Sequence, residues 1–140
     1  MKILVCTDGS EHSFKAMEEA AKIAAGLKNA EVTVVNVDEV LPDIPYFSEE
    51  SLKEMEGRNK AEREQILAEA VKVFEGKNIK FNTMIKKGHP ASTIIELAKA
   101  GKFDVVVIGS RGLGGIKQAL LGSVSNAVAQ AVEANVLIVK

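Results

Sequence analysis

The chain has 140 residues, 46% of them hydrophobic and 26% charged, which is the size and composition of one globular domain and excludes a disordered chain. Its 18 basic and 19 acidic residues give a formal net charge of -1, so no overall positive field exists to hold duplex nucleic acid. The strictly apolar runs reach four residues, whereas a membrane-spanning helix needs about 20, so we expect one domain over residues 1–140 and no membrane association.

Short apolar runs bounded by turn residues predict five strands, and apolar residues at steps of three and four predict four amphipathic helices between them. The segment 104–108 is the clearest strand, because it has no polar alternation and therefore suits a central parallel strand covered on both faces. The predicted strands are residues 2–7, 31–38, about 80–85, 104–108 and 136–139. The helices carry the apolar residues Phe14, Met17, Leu27, Leu52, Phe74, Ile94, Leu97, Val124 and Val128, and Pro90 lies in the first turn of the third helix.

The order β-α-β-α-β-α-β-α-β predicts an α/β fold with a doubly wound, mainly parallel five-stranded sheet and helices on both faces, because each right-handed crossover needs a helix. Charges of both signs on the second helix are expected to form a solvated face. These charged residues are Glu54, Glu56, Arg58, Lys60, Glu62, Arg63 and Glu64.

The start of the chain and its cysteine content suggest where the protein works. Thr7-Asp8-Gly9 follows the first five apolar and basic residues before a signal-peptide hydrophobic region can develop, so we expect a cytoplasmic protein. Cys6 is the single cysteine, which excludes an internal disulfide and CxxC redox chemistry. We expect Cys6 to be a small buried strand residue.

A glycine-rich segment after the fourth strand predicts an anion site. In doubly wound sheets, ligands bind beyond the carboxyl ends of the strands where the strand order reverses. Gly109 and Gly112 are followed, after nine further residues, by Gly122, which opens the last helix. Glycines allow backbone N–H groups to approach a ligand, and a helix N-terminus adds a positive dipole end. Hydroxyl donors at Ser123 and Ser125 complete a site suited to phosphate.

Other phosphate-binding folds fail at individual residues. No GxxxxGK[ST] loop occurs, and the segment 112–117 departs from GxGxxG at its last position. A response-regulator receiver needs an acceptor aspartate where the third strand here ends in Lys86 and Lys87. A flavodoxin would place a phosphate loop after the first strand, where the negative charge of Asp8 would repel phosphate.

The chain resembles the universal stress proteins, and specifically their ATP-binding subclass, over essentially its whole length. The resemblance rests on the segment 3–10, on Gly88-His89-Pro90 and on the motif G-2x-G-9x-G-[ST]. It implies a Rossmann-like, adenine nucleotide alpha hydrolase-like fold, binding of ATP (or AMP or ADP) with Mg²⁺, and a homodimer that often pairs through the last strand, Val136 to Val139. Many family members have proline at the position of Cys6.

The resemblance also implies the binding residues. The ribose and phosphates would lie against Gly109, Arg111, Gly112, Gly122, Ser123, Val124 and Ser125, and Ile108 is a further nucleotide-binding residue. Thr7, Asp8 and Val37 would contact the adenosine, with the main chain of Val37 reading the adenine. Asp8 would also contact a nucleotide-bound Mg²⁺. Arg111 and Lys117 are candidate phosphate-neutralising cations, whereas His12 and His89 are expected to have surface or capping roles.

Three functions remain open from the sequence. A nucleotide-dependent regulatory or stress-response switch, with an unidentified protein partner, needs only a binding site. A slow ATPase or nucleotide hydrolase would need a positioned base. Asp8 would lie near the adenosine end, and the sequence places no other carboxylate or histidine near the γ-phosphate, so no catalytic residue is assigned. A nucleotide-stabilised, chaperone-like interaction protein would need an exposed apolar patch, for which Ile44, Tyr46 and Phe47 are the nearest candidates.

Overall fold

Strands and helices alternate throughout the part of the chain that the computed structural model describes, residues 1–40, 48–112 and 121–140. The strands form one sheet in the order β3-β2-β1-β4-β5, and all four neighbouring pairs are parallel. This confirms the predicted doubly wound α/β fold. In chain order, the elements are β1 (Lys2–Cys6), α1 (Glu11–Ala25), β2 (Glu31–Glu39), α2 (Glu49–Phe74), β3 (Lys80–Gly88), α3 (Pro90–Ala100), β4 (Val105–Gly109), α4 (Ser123–Ala131) and β5 (Asn135–Val139).

The sheet separates two hydrophobic layers. On one face, Met17 of α1 and Phe74 of α2 pack with Val34 of β2, while on the other Ile94 of α3 and Val128 of α4 pack with strand residues of opposite parity. This division follows from the period of two in a strand, which sends successive side chains to opposite faces. The central strand β1 is covered on both sides, since Ile3, Leu4 and Val5 are all fully buried.

Local signals explain where the helices begin. The hydroxyl of Ser10 accepts a hydrogen bond from Ser13 N at 3.2 Å, and that of Ser48 accepts one from Ser51 N at 3.1 Å, so each satisfies an N–H group of a first helical turn. Pro90 begins α3, as predicted. Between β1 and α1, Gly9 has φ +83°, a left-handed conformation that glycine adopts without strain.

The strands β2 and β3 are longer than their neighbours. Cys6 pairs with Val35 at the end of β1, but β2 continues to Glu39 and β3 runs beside it to Gly88. The predicted third strand, about 80–85, is therefore too short. The charges of Lys86 and Lys87 indicated the end of a strand, but β3 is an edge strand and both side chains are exposed on it. The last residues of β2 and β3 therefore extend beyond the end of β1 at the carboxyl edge of the sheet.

Some apolar residues that the helical spacing predicted to face the core are exposed. Phe14 is 40% exposed, Leu27 lies beyond the end of α1, and Leu52 lies near the start of α2, whose buried residues begin only at Ile66. The first turns of α2 therefore extend away from the core. Within the described ranges, none of the helices combines the length and hydropathy that a membrane span requires.

Candidate functional site

A cavity of about 350 Å³ lies at the carboxyl edge of the sheet, beside the switch point between β1 and β4. Its volume falls in the range of small-molecule sites. The structure brings eleven predicted binding residues to its walls: Thr7, Asp8, Val37, Ile108, Gly109, Arg111, Gly112, Gly122, Ser123, Val124 and Ser125. Further walls come from Cys6, Ser13, Val35, Glu39, Arg63, Pro90 and Ile94. Lys117 and the segment 44–47 lie outside the described residues.

The two ends of the glycine-rich segment are joined by one carbonyl group. Gly122 N donates to Ser110 O at 2.6 Å, and the Ser125 hydroxyl donates to the same oxygen at 3.1 Å. On its other side, Ser110 N donates to Val139 O at 2.7 Å, which holds the segment against the end of β5. The start of α4 is thereby fixed above the end of β4.

The N-terminus of α4 presents backbone donors at the cavity wall. Asn126 N makes the first bond of the helix, to Gly122 O at 3.0 Å, so the N–H groups of Ser123, Val124 and Ser125 precede the intrahelical ladder. Gly122 caps the helix without a side-chain bond. Such a terminus attracts anions through its N–H groups and its dipole.

The two serines of this turn have different surroundings. Ser125 is 2% exposed, and its hydroxyl donates to backbone oxygens of Ser110 and Gly122. A hydroxyl has one hydrogen, so this serine fixes the loop, and the expectation that its side chain donates to phosphate does not fit these contacts. Ser123 is exposed on the cavity wall, where its hydroxyl can turn toward a ligand.

Close contacts within the protein explain two of the motif glycines. A Cβ at Gly109 would lie 2.8 Å from the main-chain carbon of His12, so this glycine lets α1 pack on β4. A Cβ at Gly112 would lie 2.6 Å from Asp8 Oδ2, so the bare backbone there lets the loop approach the carboxylate. Gly109 is therefore needed for packing against backbone, whereas a side chain at Gly112 would displace only the carboxylate end of Asp8.

The carboxylate of Asp8 lies beside Gly112. Its Oδ1 accepts a bond from Ser10 N at 2.9 Å, which orients the side chain at the turn after β1. Magnesium on a nucleotide uses one or two carboxylates together with phosphate oxygens, and a single carboxylate beside an anion site fits that chemistry. Across residues 1–40, 48–112 and 121–140, no three His, Cys, Asp or Glu side chains cluster to hold a metal by themselves.

Cys6, which also lines the cavity, is 7% exposed at the end of β1, and this confirms the predicted buried role. Burial removes the solvent that a thiolate requires, and together with the negative charge of Asp8 it raises the pKa of the thiol to about 12. The side chain is therefore a neutral, unreactive wall of the cavity.

Arg63 overturns part of the expectation for α2. Its side chain is only 20% exposed, and its Nε lies 3.3 Å from Asp38 Oδ1. Nη1 donates to Asn36 Oδ1 at 3.2 Å, so the guanidinium binds the carboxyl end of β2 instead of belonging to the solvated face. Sequence reasoning missed this contact because Arg63 lies in a run of mixed charges. The available signal was Asn36, a polar residue inside a valine-rich strand that must find a partner when buried.

The histidines also differ from each other. His12 is half-buried in the first turn of α1, and its Nδ1 lies 3.1 Å from the hydroxyl of Ser110, a contact that the expected surface or capping role did not include. The contact joins residues 98 apart in the sequence, which no local pattern reveals. His89 is exposed at the cap position of α3.

Comparisons with known proteins agree with this architecture. The sequence profile of the universal stress protein family matches residues 1–140. Universal stress protein YxiE of Bacillus subtilis (strain 168) is 34% identical over an alignment of 146 residues, which covers 99% of this chain and 98% of YxiE. Universal stress protein UspA from Lactobacillus plantarum superposes with a TM-score of 0.85 at 25% identity, covering 100% of this chain and 97% of UspA. A universal stress protein in complex with cAMP superposes with a TM-score of 0.76 at 30% identity, covering 100% and 97% respectively. The chain therefore belongs to the universal stress protein family.

Proposed function

We propose that this protein binds ATP in the cavity at the switch point and acts as a nucleotide-dependent regulatory switch of the stress response. The observation that carries the proposal is that one cavity gathers every residue of the G-2x-G-9x-G-[ST] motif together with the ends of β1 and β2. A family member of the same fold, 30% identical to this chain, has been crystallised with cAMP, which supports an adenine nucleotide as the ligand class.

The polarity of the cavity favours one orientation of the nucleotide. The backbone N–H groups at the start of α4, with Arg111 nearby on the wall, are the anion-binding end and would hold the phosphates. The ends of β1 and β2, with Thr7 and Val37, lie on the other side of the switch point from β4 and would hold the adenosine. Asp8 lies between the two and would hold Mg²⁺, which screens the charge of the phosphates when bound.

Binding is favoured over turnover by the titratable groups in the cavity. Among the described lining residues, the carboxylates are Asp8 and Glu39, and no histidine is present. Hydrolysis needs a group that positions water at the γ-phosphate, and Glu39 lies on β2, on the side proposed for the nucleoside. The cavity therefore fits a nucleotide that is bound and released without being hydrolysed.

The edge strand β5 supports pairing of two copies of the chain. It is the outermost strand on its side of the sheet, so its outer backbone groups are placed to bond another strand. Leu137 on this strand is 36% exposed. We propose a homodimer formed through Val136 to Val139, whose stability changes with nucleotide occupancy.

The proposal is tested by identifying nucleotide in the purified protein. The protein is denatured, the supernatant is chromatographed, and the procedure is repeated after incubation with ATP and Mg²⁺. Recovery of intact ATP in amounts close to one per chain supports the binding switch, whereas conversion to ADP or AMP favours the enzyme. A Gly122→Val variant purified in parallel controls for adventitious nucleotide. Absence of nucleotide from the native protein, even at millimolar ATP, would refute the proposal.

A further inference from the structure

We propose that Arg63 is a positioning residue for the nucleoside half of the bound nucleotide, acting through the carboxyl end of β2 and not on the phosphates. The inference rests on the proposed function, because it assigns a role within the same cavity. Arg63 stands apart from its neighbours on α2: Glu62 and Glu64 are exposed, whereas the Arg63 side chain is 20% exposed and forms part of the cavity wall.

A chain of contacts joins Arg63 to both strands at the nucleoside end. Its Nη1 donates to Asn36 Oδ1 at 3.2 Å, and Asn36 Nδ2 donates to Thr7 O at 2.8 Å. Asn36 is fully buried, and its side-chain amide finds a partner for its nitrogen and a partner for its oxygen within the protein. The guanidinium therefore fixes the end of β2 relative to the end of β1.

Strand geometry shows how this affects the cavity. Arg63 contacts Asn36 and Asp38, which lie two residues apart on β2 and so share one side of the strand. Val37 lies between them, so its side chain is on the other face of the strand, where it lines the cavity. Holding the residues on either side of Val37 fixes its main chain, which is the part proposed to read the adenine.

The charge of Arg63 is already balanced on this side of the site. Asp38 Oδ1 lies 3.3 Å from Nε, and β2 is separated from β4 and the α4 terminus by β1. The buried Nε makes no hydrogen bond among the described residues, so its contact with Asp38 is an ion pair. The hydrogen bond to Asn36 fixes the orientation of the guanidinium. A lysine would keep the charge but could not reproduce this forked geometry.

The test compares ligands that contain different parts of ATP. Kd is measured by calorimetry for ATP and AMP, and inorganic tripolyphosphate is measured by displacement of labelled ATP, for the native protein and Arg63→Met. The Arg63–Asn36 bond lies within the protein, so its loss acts on Kd only by loosening the end of β2 before the ligand binds. We expect a Kd about tenfold higher for ATP and for AMP alike, with the Kd for tripolyphosphate unchanged. Arg58→Met, at an exposed position on the same helix, is the matched control and should leave all three unchanged.

The outcomes separate this inference from the proposed function. A native protein that binds neither ATP nor AMP refutes the proposed function itself. If the native protein binds both, a loss confined to ATP and tripolyphosphate would make Arg63 a phosphate-binding cation, and an unchanged Kd would remove it from the site. Either result overturns the inference. Should Arg63→Met not fold, Arg63→Lys decides, with a smaller but equal loss for ATP and AMP expected.

Discussion

Substituting Gly122 by alanine separates ligand binding from folding at the glycine-rich segment. Gly122 has φ -68° and ψ 162°, a conformation open to any residue. An added Cβ would lie 3.4 Å from Ser110 O and 3.5 Å from Arg111 Cα, which is ordinary van der Waals contact. The substitution therefore fits the unliganded protein but adds a methyl group where a phosphate must approach the backbone.

The effect on stability can be worked out from two opposing contributions. Alanine restricts the unfolded chain and so stabilises the protein by about 0.4–1 kcal/mol at a compatible position. It is also a poorer helix cap than glycine, by roughly 0.5–1 kcal/mol. The free energy of unfolding should thus change by less than about 1 kcal/mol, which shifts Tm by about 4 °C or less.

Gly109→Ala is the contrasting variant within the same motif. Its Cβ would lie 2.8–2.9 Å from main-chain atoms of His12, so α1 must move away from β4. Overpacking of this kind costs about 1–3 kcal/mol and should lower Tm by roughly 4–12 °C. Scanning calorimetry without ligand measures this difference between the two variants.

Titration calorimetry with ATP and Mg²⁺ then measures the binding effect. Gly122→Ala should raise Kd at least about tenfold, and Gly122→Val should abolish binding because its branched side chain fills more of the phosphate position. A folded Gly122→Ala protein that binds ATP with native affinity would refute the assignment of this glycine to the phosphate site.

Three further predictions concern single residues. Ser123→Ala should raise the Kd for ATP about ten- to a hundredfold, the equivalent of about 1.5–3 kcal/mol for a hydrogen bond to a charged group, with Tm unchanged; a lower Tm at unchanged Kd would show that Ser123 only stabilises the first turn of α4. Because the pKa of the Cys6 thiol is raised to about 12, the thiol stays neutral at pH 8 and should react with a disulfide reagent only after unfolding in guanidinium; rapid reaction of the native protein would contradict its burial. Phe74→Ala should lower the free energy of unfolding by about 3–5 kcal/mol in denaturant titrations, whereas Phe14→Ala, at a side chain 40% exposed, should change it by less than about 1 kcal/mol. Equal losses for the two variants would show that Phe74 does not anchor the core.

The fold could be predicted because its signals are local. The valine-rich strands, the alternation with helices and the cap residues each act over a few positions, and together they leave one topology class. The motif from Gly109 to Ser123 likewise lies on one connection between neighbouring elements, so its spacing alone indicates a site at the carboxyl edge. The strand order β3-β2-β1-β4-β5 was not predicted, because the pairing of β1 with β4 joins residues far apart in the sequence.

The contacts that the sequence did not reveal all join distant segments. Arg63 meets Asn36 across 27 positions, and His12 meets Ser110 across 98. A charge or a histidine on a helix carries no mark of its partner, because the pairing depends on which face of the sheet each helix covers. Ser125 shows the related limit for rotamers: its position in the motif was predicted, but the direction of its hydroxyl depends on the carbonyl of Ser110.

The central position of β1 has a consequence for folding during synthesis. One edge of β1 pairs with β2, the next strand to emerge, but the other pairs with β4, beginning at Ile3 with Val105. A chain that ends after β3 therefore leaves half of the hydrogen-bonding capacity of its most buried strand open, next to apolar side chains that α3 and α4 would cover. Such long-range pairing slows folding and leaves an unpaired strand edge that can bind other chains. A nascent chain of which only the first 88 residues have left the ribosome should consequently require chaperone protection until β4 has also emerged.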